Sequence, residues 1–319
     1  MSLFFTDSAM NILILKDSLG ADPAPDALDN LAEAEFVARE LRLRHAVAVA
    51  DFRGDLPRDA ADIRAAAPDA VFNLVESVAG RDALAPAAAL LLEALGIPFT
   101  GNSARANLLS ADKLAAKAAL RAAGVAVPET EFRPGAEFLL KSRAEHASAG
   151  LDASCVVRPD SAAALEKLVA EKSAAAGRPW LAERFIAGRE FNAAILGDAV
   201  LPPAEIVFTE RFSGPRILTY ASKWDEDSAA CRESVRRFVE DAGLAARITA
   251  AARRCAAACG LSGYARVDFR MDAAGTLYAI DVNTNPCIAP DAGFVAMARR
   301  AGLSDLETLE RIIRYAYVP

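Results

Sequence analysis

The chain has 319 residues, of which 53% are hydrophobic, and a formal net charge of −7. That is enough apolar material for two or three packed lobes, while an acidic balance with a pI near 5.1 offers no general attraction to nucleic acid or to anionic membrane. Five scattered cysteines argue against a secreted disulfide framework; no run approaches membrane-spanning length and no signal-peptide pattern is present, so a cytoplasmic protein is expected.

In chain order, "NILILK" at 11–16 reads as a strand and 31–43 as an amphipathic helix. "HAVAVAD" and "DAVFNLV" follow as strands, then an Ala/Leu helix over 84–95 and "IPFTGN". Strands alternating with helices through short links predict a parallel sheet for the first lobe, residues 1–102. Its glycines form no dinucleotide fingerprint, which disfavours a Rossmann dehydrogenase.

A second lobe, 103–189, starts with "LLSADKLAAKAALRAAG", where Asp112 is placed to cap a helix, Lys113 and Lys117 follow one turn apart, and Gly124 ends it. Lys141 closes the short apolar run "EFLLK" and precedes a Ser/Ala/Gly loop able to lay backbone N–H groups over phosphates. That loop has one glycine, Gly150, and is no Walker A motif. "WLAERFIAGREFNAAILGD" predicts two strands around a turn at Gly188, with Glu183 on the first and Glu190 opening the second.

The third lobe, 190–319, is expected to be helical over 229–241, 245–259 and most of 291–316. Cys255 and Cys259, four apart in an Ala-rich helix, have no His or acidic cluster beside them and are assigned to packing rather than zinc. Between these helices lies "YARVDFRMDAAGTLYAIDVN". Strict alternation puts Arg266, Asp268 and Arg270 on one face of its first strand. On the second strand it groups Leu277, Ala279, Asp281 and Asn283. A turn at Gly275 makes the two an antiparallel hairpin, so that Asp268 and Asp281 become neighbours across the strands. Facing carboxylates repel; a divalent cation, held alongside nucleotide phosphates, removes the penalty. The alternative is a half-solvated hairpin with its charges screened by Arg266 and Arg270.

Taken together, "ADK", "LAERFIAGREFNAAILG" and "YARVDFRMDAAG…IDVNTNP" make the chain resemble the ATP-grasp superfamily, and within it the D-alanine–D-alanine ligase family. The resemblance spans nearly the whole chain. It implies an α/β ATP-grasp fold of three lobes, with ATP between the central and C-terminal ones, and an ATP-dependent carboxylate–amine ligase acting through an acylphosphate. It further implies ATP contacts from Lys113 and Lys141, an adenine hinge at Glu183, Arg184 and Phe185, and a ribose carboxylate at Glu190. Mg²⁺, with Mn²⁺ as an alternative, falls to Asp268, Asp281 and Asn283; Arg266 stands beside the reacting centre, and Lys223 matches a lysine of a mobile lid. Small-molecule carboxylate and amine substrates, and a homodimer, complete the expectation. The runners-up are an ATP-grasp small-molecule kinase and a nucleotide-binding protein without turnover.

The departures from the family pattern gather where amino acids would bind. "FNLVESVAGRDAL" replaces a His-Gly-rich acidic loop, and here Glu76 and Arg81 are candidates for a substrate amine and carboxylate. Glu33 and Glu35 are poor matches for an early substrate-facing glutamate, and His146 falls in the phosphate loop. "NTNPCIAPDAG" replaces a Gly-Ser ending, making Asn285, Cys287 and Asp291 candidate determinants of acceptor preference. The phosphoryl-transfer half is thus the better preserved, and D-Ala–D-Ala synthesis is one assignment among several.

Overall fold

The structure is a computed structural model and describes residues 8–20, 25–145, 148, 150–224 and 228–319, the side chains of 25–27, 223, 224, 229 and 230 excepted. β1 (Asn11–Asp17) lies between β2 (Ala46–Phe52) and β3 (Ala70–Asn73), parallel to both. It is covered on both faces, which is why it reads as an unbroken apolar run rather than an alternating one. Ile12 and Ile14 pack under α1 (Pro25–Leu41) and the C-terminal α11 (Asp305–Arg314). Leu13 and Leu15 pack under α2 (Leu56–Ala66) and α3 (Pro86–Leu95). The α1 side is continuous with Ala194, Tyr264 and Phe294, so one core joins the first and last parts of the chain.

The helix expected between Asp112 and Gly124 is α5 (Lys113–Ala122), and α4 (Ala104–Ala111) precedes it. Asp112, extended between them, caps α5 by accepting from the N–H groups of Leu114 and Ala115. A second, antiparallel sheet has β4 (Phe138–Ser142) at its centre, between β5 (Val156–Val157) and β6 (Trp180–Arg184), and α6 (Ala162–Ala176) packs on it through Leu165.

The third sheet is built from β7 (Arg189–Leu196), β8 (Ala199–Val200), β9 (Ala204–Phe208), β10 (Ser234–Phe238), β11 (Tyr264–Met271) and β12 (Leu277–Asn283). Its order is β10-β9-β7-β11-β12, with β8 on β7. α7 (Tyr220–Trp224) and α8 (Ala229–Arg232) precede β10, and α9 (Ala242–Cys259) packs beneath β7 and β11 with Ile248, Ala252 and Cys255. Both thiols of α9 are buried, and burial pushes that of Cys255 up to about 12, which suits packing. α10 (Gly293–Arg300) and α11 follow, separated at Gly302 and restarted by a capping box at Ser304.

Three expectations are corrected. Residues 229–241 are not one helix: α8 is a single turn, and β10 pairs antiparallel along β9 from Ser234↔Phe208 to Phe238↔Ala204. Sheet pairing overrides local propensity there. The strands either side of Gly188 do not form a hairpin; β6 and β7 belong to different sheets, and Gly188 is the crossing point. Its φ is +148°, and a Cβ would lie 2.0 Å from the Met271 carbonyl oxygen, so only glycine fits. Finally, β11 and β12 do pair antiparallel, but their register slips by one residue after Asp268↔Asp281, leaving Ile280 without an opposite number. This bulge carries both Ala279 and Val282 into the core and turns Ile280, Asp281 and Asn283 together toward the cavity.

Candidate active site

The three sheets enclose one cavity of about 1800 Å³, and its floor is the β11–β12 hairpin. On β11, Ala265, Val267 and Phe269 are fully buried, which forces Arg266, Asp268 and Arg270 onto the cavity side. Arg266 forks Asp268 through Nε at 2.8 Å and Nη2 at 3.0 Å, and Asn192 on β7 donates to the same carboxylate at 2.7 Å. Burial works against the Arg266 charge, but Asp268 and Asp281 outweigh it and raise its pKa. Asp281 stands directly opposite Asp268, and Asn283 directly opposite Arg266. The sequence-predicted constellation is therefore assembled on one surface.

The opposite wall comes from the second sheet. Lys141 on β4 bonds the Ile280 carbonyl at 2.9 Å, the group that the bulge leaves over. Its ammonium also lies 2.9 Å from Glu183 on β6, whose other oxygen is 2.7 Å from Lys117. Burial opposes the Glu183 charge, yet the two ammonium groups hold its pKa below the ordinary value. Lys117 is pushed down to about 8, chiefly by burial. Lys113 donates to the Glu145 carbonyl at 2.6 Å and, for the same reason, has a lowered pKa.

At the hinge, the N–H groups of Arg184 and Phe185 are spent on the carbonyls of Glu129 and Glu137, at 2.7 and 2.8 Å. Glu190 is ion-paired with Arg270 at 3.0 Å, and Arg270 also donates to the carbonyls of Ile186, Gly188 and Arg216 while lying over the Phe185 ring.

The third wall belongs to the first lobe and is acidic. Asp17, at the end of β1, accepts from the N–H groups of Glu76 and Ser77 and from the Ser77 hydroxyl. Glu33 accepts from the Ile288 N–H at 2.5 Å, and burial, with Asp29 and Asp17 nearby, pushes it up to about 8. Glu76 is likewise raised well above the ordinary carboxylate value, by burial and by Glu33, Asp17, Asp82 and Asp29. Cys287 reaches Asp29 at 3.2 Å, and burial among these carboxylates raises its thiol. Asn285 accepts from the Tyr264 hydroxyl at 2.5 Å and donates to the Val75 carbonyl at 3.2 Å. Asp291 lines the same end of the cavity.

One predicted residue is not brought in. Arg81 is exposed and is not among the residues that line the cavity; reciprocal N–H···O bonds between Val78 and Arg81 close a tight turn there. The Lys223 side chain lies outside the described residues, as does His146; Glu35 is exposed. Sequence reasoning passed over Lys117, although it shares the buried face of α5 with Lys113, Ala116 and Leu120. It also missed Asn192 and the structural work of Arg270.

For a metal, the donors Asp268, Asp281 and Asn283 are all oxygen, and two carboxylates in register suit a hard divalent cation shared with phosphates. Among the described residues no group of three His, Cys, Asp or Glu could hold a metal by itself.

Residues 140–314 match the family model described as D-ala D-ala ligase C-terminus. The D-alanine–D-alanine ligase of Gluconobacter oxydans (strain 621H) is 30% identical over 309 residues, covering 90% of this chain and 94% of the relative. That of Synechococcus sp. (strain JA-3-3Ab) is 30% identical over 320 residues, covering 96% and 94%. Among solved structures, the D-alanine–D-alanine ligase of Bacillus anthracis complexed with ATP superposes with a TM-score of 0.72 at 20% identity, over 96% of this chain and 97% of that one. The VanG D-Ala:D-Ser ligase of Enterococcus faecalis gives 0.68 at 18% identity, over 95% and 98%. Fold and sequence thus define an ATP-dependent, amide-bond-forming ligase with the ATP-grasp fold. Within that class, the chain belongs to the D-alanine–D-alanine ligase family.

Proposed function

We propose that this ligase activates the carboxylate of one amino acid and joins it to the amine of a second, with D-Ala–D-Ala as one product to be tested among others. The observation that carries the reading is the shared surface of Arg266, Asp268, Asp281 and Asn283, facing Lys113 and Lys141 across one cavity with an acidic wall at its far end. A carboxylate is a poor acyl donor; transfer of the γ-phosphoryl of ATP converts it into an acylphosphate with a good leaving group. Lys141 and Lys113 neutralise phosphate charge from the second lobe. Asp268, Asp281 and Asn283 would hold Mg²⁺ or Mn²⁺, which supplies positive charge to the phosphate oxygens when bound. Arg266, kept charged by Asp268, stabilises the oxyanion that forms as the amine attacks. Phosphate then leaves with the C–O bond electrons, and the amine sheds its proton.

The lobes are assigned to 1–102, 103–189 and 190–319; each sheet falls within one of them, save that β7 opens at Arg189. No helix among the described residues is long and apolar enough to cross a membrane; a cytoplasmic, homodimeric enzyme is part of the proposal. The test is a mass-spectrometric screen with ATP, Mg²⁺ and pooled D- and L-amino acids, dipeptides and small amines, alongside ADP release. An amine-dependent product heavier than its carboxylate precursor is expected. ADP formed with a phosphorylated small molecule and no condensation would replace the ligase with a kinase.

A further inference from the structure

Arg270 stands on the cavity side of β11 and is only 3% exposed. Its guanidinium donates four hydrogen bonds. Nε reaches the Ile186 carbonyl at 2.7 Å, and Nη2 the Gly188 carbonyl at 3.1 Å. Nη1 reaches Glu190 Oε2 at 3.0 Å and the Arg216 carbonyl at 2.7 Å. Four of the five N–H donors of the group are thus committed. The Phe185 ring lies against its flat face, 5.0 Å from Cζ. Burial works against the charge of Arg270, and Glu190, then Glu183, support it.

These partners come from three parts of the chain. Ile186 and Gly188 belong to the crossing from β6 to β7, Glu190 is directly opposite Arg270 in the β7–β11 register, and Arg216 lies four residues before α7 begins. Sequence alone offered Arg270 only as a counter-charge to the acids of the hairpin. The ammonium of a lysine could answer Glu190, but it has three donors and no planar fork, and could not also hold three carbonyls. Glu190 lines the cavity at 6% exposure. The ladder fixes its backbone, but its side chain keeps rotatable bonds, and the contact with Arg270 removes that freedom before any nucleotide arrives. A carboxylate held in this way accepts from hydroxyl groups at a set place relative to the hinge.

We infer that Arg270 is a positioning residue: by holding Glu190 against the segment from Phe185 to Gly188, it gives the nucleotide site its preference for a sugar that carries hydroxyls. This rests on the ATP reading of the cavity and on the sugar assignment of Glu190.

The test is titration calorimetry of the full-length enzyme with Mg-ATP and with the magnesium complex of 2′,3′-dideoxy-ATP, which requires no amino-acid substrate. The wild type is expected to bind ATP about ten- to a hundredfold more tightly than the dideoxy nucleotide, the scale of hydrogen bonds to a charged group. Arg270→Met brings the two affinities close to parity, chiefly by weakening ATP, and Arg270→Lys falls between. Because Arg270→Met leaves a buried carboxylate without its counter-charge, thermal melts accompany the titrations, and Glu190→Gln is paired with Glu190→Gln/Arg270→Met, in which neither charge remains. Glu190→Gln loses most of the preference, and adding Arg270→Met to it removes no more. A full preference in Arg270→Met and Arg270→Lys overturns the inference. So does equal weakening of both nucleotides, which would leave Arg270 as a support of the fold alone, and so does a further loss of preference in the double variant. Equal binding of the two nucleotides by the wild type is a different failure, that of the sugar assignment beneath; binding of neither would overturn the ATP reading itself.

Discussion

The two halves of the cavity are built on opposite electrostatic plans. On the nucleotide side, nearly every charge meets its counterpart: Glu183 lies between Lys117 and Lys141, Glu190 against Arg270, Asp268 in the fork of Arg266. On the side of the first lobe, no lysine or arginine among the described residues is ion-paired with Asp17, Glu33 or Glu76, and burial pushes the pKa of all three upward. Paired charges are fixed in place by their partners, ready for a triphosphate. Crowded carboxylates take up a proton instead, and ionise when a cationic group arrives. One side is preorganised by its own partners; the other is completed by its substrate.

The difference can be broken most severely at Glu183. Glu183→Ala strands two buried ammonium groups, and a loss of about 3 kcal/mol or more in urea unfolding is expected; an unchanged midpoint would show that the triad contributes nothing to the fold. Asp281→Ala should leave the melting curve near that of the wild type and cut turnover by about a hundredfold or more. Full turnover in that variant would remove the proposed metal and phosphate surface. On the acidic side the expected effect depends on pH. Glu33 holds its proton up to about 8 in the folded chain but releases it near the ordinary carboxylate value when unfolded. The Glu33 contribution to stability is therefore fully present below that ordinary value and is lost as pH rises toward 8, by up to about 1.4 kcal/mol per pH unit. Glu33→Gln, whose carbonyl can still accept from Ile288, should flatten the decline; parallel slopes for the two proteins would place Glu33 among ordinary surface acids. Arg81→Ala should change stability by no more than about 0.5 kcal/mol and leave acceptor use unaltered, whereas a large rise in acceptor KM would restore it to the site.

The hairpin was readable because alternation, a glycine turn and two acids at matching distances all pointed one way, and the register pairs those acids directly. The one-residue slip at Ile280 was not readable, since nothing in "LYAIDVN" marks where a bulge falls. β10 was hidden by its neighbours: "SVRRF" is short and charged, follows an Ala-containing turn of helix and becomes a strand only because β9 is there to pair with it. Lys117 looked like a surface lysine because its partner, Glu183, lies 66 positions further along the chain. The acidic wall is assembled from β1, α1 and the loop after β3, and spacing along the chain carries no trace of such a meeting.

The spare carbonyl at Ile280 has a mechanical meaning. It belongs to the third sheet, and the ammonium that binds it belongs to the second. A small irregularity in strand pairing thus serves as a latch across the cleft: the two sheets cannot swing apart until Lys141 lets go. Because the same ammonium rests on Glu183, a phosphate that draws Lys141 away would loosen both holds at once, coupling nucleotide arrival to the freedom of the cleft to move.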